Sequence, residues 1–299
     1  MDPVIVNEVG PRDGLQNESA QVAPADRADL IRRLVATGIP AVEVVSFVSP
    51  KAVPKMAGAD EVVAALDLDA ADFSALVPNM KGYEMARAAG VRAVAVVLSA
   101  TDTMNRKNIN MDLATTLRVC SEILEQARRD GISGRAYVSV AVTCPYEGRV
   151  PEFRVIDLTR RMFAAGACEV TIADTIGAAN PSQVKGLFTA LVEEFGARSL
   201  AAHFHDTRAL ALANAWQALE CGIRKFDTSI GGLGGCPFAP GAAGNLATED
   251  LVSLLHQAGF HTGIDLDALL EVVAHVRTLV GHDVGGRTLP WLRSRHAAA

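Results

Sequence analysis

The sequence is poor in aromatic residues and has no cluster of basic ones. Phe, Trp and Tyr make up 5% of its 299 residues, and the formal net charge is −6 at pH 7. No Lys- or Arg-rich block appears and no aromatic–basic pattern recurs, so the signatures of nucleic-acid binding are missing. We therefore expect no nucleic-acid partner, although local basic residues could still bind a phosphorylated small molecule.

Disulfide, secretion and membrane signals are also missing. The five cysteines are widely separated and form no C-x-x-C pair. An odd number at such spacing argues against a disulfide framework and favours a reducing compartment. The first residues, MDPVIVNEVG, enter a strand-like run at once, without the regions of a secretory segment. No apolar run approaches the ~20 residues of a membrane span. We expect a soluble cytoplasmic protein.

What the sequence does contain is a regular alternation of strand-like and helix-like segments. Eight strand-like runs lie near 4–9, 41–47, 72–77, 93–98, 136–143, 169–173, 199–205 and 225–230. Four of the helical segments between them end at Gly38, Gly90, Gly131 and Gly166, and glycine is the expected residue just after a helix. Eight such units predict a parallel sheet closed on itself, the (β/α)₈ or TIM barrel.

An open, doubly wound sheet is the alternative to the barrel. No G-x-G-x-x-G follows the first strand-like run, so a dinucleotide-binding version has little support. A further helix is predicted at about 265–279, and no change of composition indicates a linker. We therefore predict one catalytic domain over residues 1–299, with a C-terminal helical extension.

A closed barrel predicts that functional groups lie at the carboxyl ends of its strands. Polar residues recur there in nearly every unit: Arg12, Asp13, Glu43, Ser46, Asn79, Ser99, Thr143, Asp174, His203, His205 and Asp206. This convergence predicts a single site at one end of the barrel.

Two histidines, His203 and His205, end the seventh strand-like run. Side chains two residues apart on a strand face the same side. Hydrogen bonds to backbone carbonyls are the structural alternative, but two imidazoles on one face, followed by Asp206, favour metal ligation. Imidazoles with oxygen ligands suit Zn, Mn, Fe or Co, and a site richer in oxygen admits Mg.

The segment GPRDGLQNE follows the first strand-like run and places Arg12 and Asp13 on a tight turn. An Asp that only stabilises the turn is the structural alternative. It leaves Arg12 unexplained, whereas a carboxylate could complete a metal site and an adjacent guanidinium could hold a substrate oxyanion.

Two further acidic residues stand on apolar runs. Glu43 lies in AVEVVSF, where a carboxylate must be paired, protonated or functional, a local salt bridge in the helix layer being the alternative. Asp174 ends EVTIAD, where it could face the site or cap the following segment.

The glycine-rich segment at about 231–245 predicts a flap over the site. It carries Cys236, which is either an incidental small residue or a thiol that serves as acid, base or nucleophile. Asn245, at its end, could supply a neutral oxygen ligand, cap the helix that begins near LATEDLV, or do both.

These residues stand in longer motifs, and together the motifs resemble a known family. GPRDGLQNE, EVVSFVSPKAVPKMAGADEV, CPYEG, DTIG, HFHDT and GLGGCPFAPGAAGNLATEDLV resemble the hydroxymethylglutaryl-CoA lyase family over about residues 4–260. The resemblance implies a (β/α)₈ barrel that uses Mg²⁺ or Mn²⁺ to cleave 3-hydroxy-3-methylglutaryl-CoA into acetyl-CoA and acetoacetate. The sequence departs from the family pattern after HFHDT, where Ala209 stands at a position usually occupied by glycine.

The resemblance also assigns roles to individual residues. It implies metal ligation by Asp13, His203, His205 and Asn245, substrate polarisation by Arg12, a catalytic flap cysteine at Cys236, acidic site residues Glu43 and Asp174, and a second, catalytic role for His203. The CoA candidates are Asn79, Lys81 and Lys107, and a homodimer is the family expectation. The alternatives are a lyase for a related 3-hydroxyacyl-CoA such as citramalyl-CoA, a Claisen-type condensing enzyme of the same metal-barrel group, and a catalytically silent barrel.

Overall fold

Eight parallel strands form a closed barrel in a computed structural model that describes residues 3–51, 53–235 and 244–296. The barrel strands are β1 (Ile5–Glu8), β2 (Ala41–Ser46), β3 (Asp72–Leu76), β4 (Ala93–Ser99), β5 (Ser133–Ser139), β8 (Glu169–Asp174), β9 (Leu200–Phe204) and β10 (Lys225–Thr228). The hairpin strands β6 (Thr143–Cys144) and β7 (Gly148–Arg149) pair with each other, antiparallel, outside the barrel. Neighbours in the barrel follow chain order and β1 pairs with β10, so the predicted TIM barrel is confirmed.

Helices alternate with the barrel strands. They are α1 (Pro24–Ala36), α2 (Ala59–Ala64), α3 (Met80–Ala88), α4 (Asp102–Ile109), α5 (Leu113–Arg129), α6 (Glu152–Ala164), α7 (Pro181–Phe195), α8 (Ala211–Glu220), α9 (Thr248–Gln257), α10 (Leu266–Val280) and α11 (Leu289–His296). The predicted extra helix at about 265–279 is α10, and the Asp265 side chain caps it by accepting from the amides of Asp267 and Ala268. Among the described residues, no helix has the length and apolar character that crossing a membrane requires. That residues 1–299 form one domain stays a prediction.

The four glycines predicted to end helices do follow helices in the structure. Gly38, Gly90, Gly131 and Gly166 all have positive φ angles, between 70° and 106°. A side chain disfavours this left-handed region, so glycine is suited to the turn from each helix into the next strand. At Gly38 an added Cβ would also lie 2.2 Å from the carbonyl oxygen of Gly263.

The fifth strand was predicted at 136–143 but runs from Ser133 to Ser139, so both predicted ends are wrong. Its first residues are not apolar, yet Gly134 fits the packing because an added Cβ would lie 2.7 Å from Leu124 Cδ2. The apolar run continues past the true end of the strand, where Val140 takes a φ of +49° and the chain leaves the barrel. Apolar character alone therefore placed this strand three residues too late at its start.

Ala209 adopts a left-handed conformation, with φ +59°, where the family usually has glycine. This conformation costs a non-glycine residue roughly 1–2 kcal/mol. We expect Ala209→Gly to raise the free energy of unfolding by about 1 kcal/mol, as measured by urea denaturation. The matched control is Ala213→Gly, on the exposed side of α8, where glycine should instead lower stability by about 1 kcal/mol. Equal effects of the two substitutions would contradict the explanation.

Candidate active site

The loop after β1 is a single π-helical turn, Gly10–Gly14, that carries Arg12 and Asp13 into the mouth of the barrel. The amides of Arg12, Asp13 and Gly14 all point at the carbonyl oxygen of Val9, at 3.1, 2.7 and 3.3 Å. Gly14 is required by packing, because an added Cβ would lie 2.8 Å from Ser229 Oγ and 2.9 Å from Leu233 Cβ. The predicted tight turn is thus a closely packed, hydrogen-bonded support for both functional side chains.

Asp13, His203 and His205 come together at the carboxyl end of the barrel, as the sequence predicted. One ligand-type atom from each lies within 4.8 Å of the others. Asn245 is adjacent, because its Nδ2 donates to Asp13 Oδ2 at 2.8 Å and to the Leu233 carbonyl at 3.0 Å. All four residues predicted as metal ligands are therefore neighbours in space.

The chemistry of these four side chains fits a divalent cation. Asn245 Oδ1 and His205 Nδ1 are buried and have no hydrogen-bond partner among the described residues. Leaving a buried polar atom unpaired costs about 1–3 kcal/mol, so such atoms call for an explanation. A cation bound between a carboxylate, imidazoles and an amide oxygen would give both atoms a partner.

The electrostatics keep two members of the cluster, Asp13 and His205, in the charge states that a cation needs. Burial alone would raise the pKa of Asp13, but the positive charge of Arg12 and the neighbouring histidines outweigh it and lower that pKa to about 2. Burial, with His203 nearby, lowers the pKa of His205 to about 4. At neutral pH Asp13 is therefore a carboxylate and His205 a neutral imidazole, which are the forms that bind metals.

Arg12 is held between two carboxylates. Its Nε donates to Glu43, and its Nη1 donates to Asp13 Oδ1 at 2.7 Å. Glu43 is fully buried inside the barrel, where its other oxygen lies 3.3 Å from the Tyr137 hydroxyl, so the ion pair is not in the helix layer. Burial raises the pKa of Glu43, although Arg12 opposes the shift. Glu43 thus orients Arg12.

A cavity of about 240 Å³ opens beside the cluster. Its lining includes Arg12, Asp13, His203 and His205, together with Gln16, Asn17, Val48, Val53, Leu76, Pro78, Val97, Met104, Asn108, Ile109, Tyr137, Ser139, Ala173, Thr175 and Gly235. Tyr137, Ser139 and Asn108 were not among the site residues predicted from the sequence. Tyr137 and Ser139 are two residues apart at the end of β5, a spacing that would have indicated them had the strand ends been right. The cavity is the space next to the predicted metal ligands where a small acyl group could bind.

Asp174 has its two carboxylate oxygens occupied by the loop that follows β8. They accept from the amides of Ala178 and Ala179, both at 2.9 Å. Burial raises the pKa of Asp174, and these hydrogen bonds oppose the shift. The geometry matches the capping alternative, and a catalytic role for Asp174 stays a prediction.

The remaining predicted residues lie apart from the cavity or outside the described residues. Asn79 caps α3 by accepting from the Gly82 amide at 2.9 Å, and Lys81 and Lys107 are exposed on α3 and α4. None of these three lines the cavity, and their contact with CoA stays a prediction. Cys236 and most of the predicted flap, residues 236–243, lie outside the described residues.

Two buried glutamates support the base of the glycine-rich segment. Glu8 accepts from the amides of Gly10 and Ile230 at 2.7 and 2.9 Å, and from Thr248 Oγ1 at 2.5 Å. Glu249 accepts from the amide of Gly231 at 3.1 Å. Burial raises the pKa of each from 4.5 to about 7, although these hydrogen bonds oppose the shift.

These shifts predict a pH dependence of stability. Between pH 4.5 and about 7 the folded protein holds protons on Glu8 and Glu249 that the unfolded chain has lost. The two glutamates therefore lower the free energy of unfolding as the pH rises through this window. In Glu8→Gln one of these contributions is absent, so its stability relative to the wild type should increase with pH from 4.5 to 7. Urea denaturation across this range measures the difference.

Glu125→Gln, on the exposed surface of α5, is the control for this measurement, and its stability relative to the wild type should stay flat. A flat difference for Glu8→Gln as well would show that the buried carboxylate titrates as it does in the unfolded chain.

Comparison with known proteins agrees with this geometry. The HMGL-like family model matches residues 3–276. A hydroxymethylglutaryl-CoA lyase of Bacillus subtilis is 42% identical over 97% of this chain and 98% of its own length. An (R)-citramalyl-CoA lyase of Chloroflexus aurantiacus is 43% identical over 90% of this chain and 89% of its own. The crystal structure of the Bacillus subtilis HMG-CoA lyase superposes with a TM-score of 0.95 at 42% identity, covering 98% of this chain and 99% of that one. The chain belongs to the HMGL-like family.

Proposed function

We propose that this protein cleaves 3-hydroxy-3-methylglutaryl-CoA into acetyl-CoA and acetoacetate. The observation that carries the proposal is the convergence of Asp13, His203, His205 and Asn245 with Arg12 beside one cavity, in a chain 42% identical to a hydroxymethylglutaryl-CoA lyase. The substrate is thus an acyl-CoA, and the reaction breaks the bond between C2 and C3 of its acyl chain.

We further propose that the four clustered residues hold Mg²⁺ or Mn²⁺. Two imidazoles, one carboxylate and one amide oxygen leave positions for substrate oxygens, which both ions accept. When bound, such an ion supplies Lewis acidity and lowers the pKa of a hydroxyl group that contacts it. Asn245 has two functions in this proposal, since its Nδ2 donates to Asp13 and its buried Oδ1, which has no hydrogen-bond partner among the described residues, would be the atom that binds the ion.

Arg12 stabilises the charge that develops on the thioester oxygen as the bond breaks. Two of its nitrogens are occupied by Glu43 and Asp13, but its Nη2 makes no hydrogen bond to the described residues. Arg12 as a residue is 8% exposed and lines the cavity, so this nitrogen can donate to an enolate oxygen there. Because Glu43 and Asp13 already hold the guanidinium of Arg12, this side chain does not have to reorient as the charge develops.

Two proton transfers complete the chemistry. The 3-hydroxyl loses its proton to solvent water, because a His203 that binds the ion and whose Nδ1 faces Asp227 at 3.2 Å has no free lone pair to accept it. A catalytic role for His203 beyond binding the ion stays a prediction. The C2–C3 electron pair becomes the enolate of acetyl-CoA. C2 of the enolate then takes a proton, and we propose the Cys236 thiol as its donor. General acid and base groups of this kind typically contribute ~10²–10⁴ in rate.

Purified protein with Mn²⁺ and 3-hydroxy-3-methylglutaryl-CoA should form acetoacetate and acetyl-CoA in equal amounts. The 43% identity to an (R)-citramalyl-CoA lyase gives a second candidate substrate. Citramalyl-CoA, whose cleavage gives pyruvate, is therefore assayed in parallel. Turnover of citramalyl-CoA alone would overturn the substrate assignment, and condensation of acetyl-CoA with a keto acid would overturn the direction.

A homodimer and a cytoplasmic location remain predictions from the sequence. Analytical ultracentrifugation of the purified protein tests the first, and fractionation of the source cells tests the second.

A further inference from the structure

Three neighbouring strands place Asn7, Asp227 and His203 side by side in one layer of the barrel. In the strand register Asn7 pairs with Asp227 across β1 and β10, and Asp227 pairs with His203 across β10 and β9. All three side chains are buried, with 1%, 2% and 7% of their residue surface exposed. The layer lies directly beneath the mouth of the barrel, and the proposed mechanism leaves Asn7 and Asp227 without a role.

The contacts within this layer form a chain that ends on His203. Asn7 Nδ2 donates to Asp227 Oδ1 at 2.7 Å, and Asp227 Oδ2 lies 3.2 Å from His203 Nδ1. A carboxylate has only acceptor atoms, so the neutral imidazole must carry its proton on Nδ1 to make this hydrogen bond. The lone pair of the ring is then on Nε2, away from Asp227.

We infer that Asp227, itself oriented by Asn7, is a positioning residue that fixes the ring orientation and tautomer of His203 so that Nε2 is its ligand atom. This inference rests on the proposed function. Tyr137 contacts the same imidazole in an edge-to-face arrangement, with ring centroids 6.4 Å apart, and so limits its rotation on another side. His205 differs, because its Nδ1 has no partner among the described residues. Among the described residues, Asp227 therefore selects one nitrogen of His203, whereas Nδ1 of His205 has no such acceptor.

The test uses metal-free protein first, so that it does not depend on catalysis. ¹⁵N-edited NMR of the imidazoles should show His203 with its proton on Nδ1 in the wild type. In Asp227→Asn the amide can present either its oxygen or its NH₂ group, so we expect a mixture of tautomers. Asn7→Leu removes the donor to Asp227 and should give a smaller change in the same direction. If Asp227→Asn fails to fold, Asn7→Leu alone tests the inference.

Metal affinity and kinetics are the second and third measurements. Outer partners of metal ligands typically contribute 10–100-fold in affinity or activity. We expect Mn²⁺ to bind Asp227→Asn 10–100-fold more weakly, by electron paramagnetic resonance titration, and kcat to fall more than KM changes. The control is Glu169→Gln, which removes a carboxylate near the opposite end of the barrel where it pairs with Lys225.

An unchanged His203 tautomer, with Mn²⁺ affinities of both variants within twofold of the control, would overturn the inference. A wild type that shows the Nδ1 proton and the variant shifts but does not cleave 3-hydroxy-3-methylglutaryl-CoA would overturn the proposed function and leave this inference standing. The two failures are thus distinguishable.

Discussion

Arg12→Gln is expected to lower kcat for cleavage of 3-hydroxy-3-methylglutaryl-CoA by about 10²–10³-fold, the usual effect of removing an oxyanion donor. The lost group is the free Nη2 of a guanidinium that is already oriented by Glu43 and Asp13. KM should change less, because the charge on the thioester oxygen develops only as the bond breaks. Steady-state kinetics with the acyl-CoA substrate measure both constants.

The substitution also breaks a buried ion pair, so its effect on folding must be separated from its effect on catalysis. Glu43 is fully buried, and removing the partner of a buried charge typically costs about 3–5 kcal/mol. The double variant Arg12→Gln, Glu43→Gln replaces the pair with two neutral amides and should recover most of that stability. It should not recover activity, because no guanidinium is restored.

Arg12→Lys gives the complementary control. It keeps the positive charge but loses the planar array of donors, so we expect activity between those of the wild type and Arg12→Gln. A double variant that regains wild-type kcat, or a single variant that never loses it, would show that Arg12 serves the fold alone.

The barrel and its candidate metal centre were predictable from the sequence for one shared reason. Parallel strands in a closed barrel end at the same mouth, so residues far apart in the chain meet there once the units are counted. Asp13 and Asn245 are 232 positions apart, yet Asp13 lies in the turn after β1, His203 is one residue before the end of β9, and Asn245 lies three residues before α9. The proximity of these residues follows from the barrel topology, so it can be predicted without knowing where each side chain points.

Residues within strands could not be assigned to the site in this way, because a strand residue can be placed at the mouth of the barrel only when the end of its strand is known. The predicted end of β5 at residue 143 lies four residues beyond Ser139, so Thr143 was placed at the mouth of the barrel, although it belongs to the β6–β7 hairpin. Tyr137 and Ser139 were therefore missed, although they line the cavity. The pairing of Asn7 with Asp227 depends on the register of β1 against β10, which no pattern in the sequence specifies. Asn108 lines the cavity and its neighbour Lys107 does not, a difference set by the rotation of α4.

The metal centre and Arg12 form one unit, because Asp13 belongs to both. One oxygen of Asp13 accepts from Arg12 Nη1 and the other from Asn245 Nδ2. A cation at the cluster would therefore sit beside a guanidinium, and Glu43 supplies the additional negative charge that makes this arrangement stable. This sharing explains why the charges of Arg12, Asp13 and Glu43 lie together at one end of the barrel.

Removal of divalent cations is expected to abolish acyl-CoA cleavage, and added Mn²⁺ should restore it. A metal ligand contributes more to affinity than an outer partner does, so His205→Ala should weaken Mn²⁺ binding by more than 100-fold. In the wild type, Mn²⁺ at 100 times its Kd stabilises the folded state by about 2.7 kcal/mol and raises Tm. That rise should vanish in His205→Ala at the same Mn²⁺ concentration, as followed by thermal denaturation without substrate.

His256→Ala is the matched control for His205→Ala. His256 lies on α9, where its Nε2 is 2.8 Å from Thr262 Oγ1, and it is not part of the cluster. Its substitution should leave both the Mn²⁺-dependent rise in Tm and the cleavage rate unchanged. Because the pKa of His205 is already lowered to about 4, protons should not compete with Mn²⁺ at that residue at neutral pH. Activity that survives complete chelation, or a His205→Ala protein that Mn²⁺ stabilises as it does the wild type, would show that this cluster does not hold a metal.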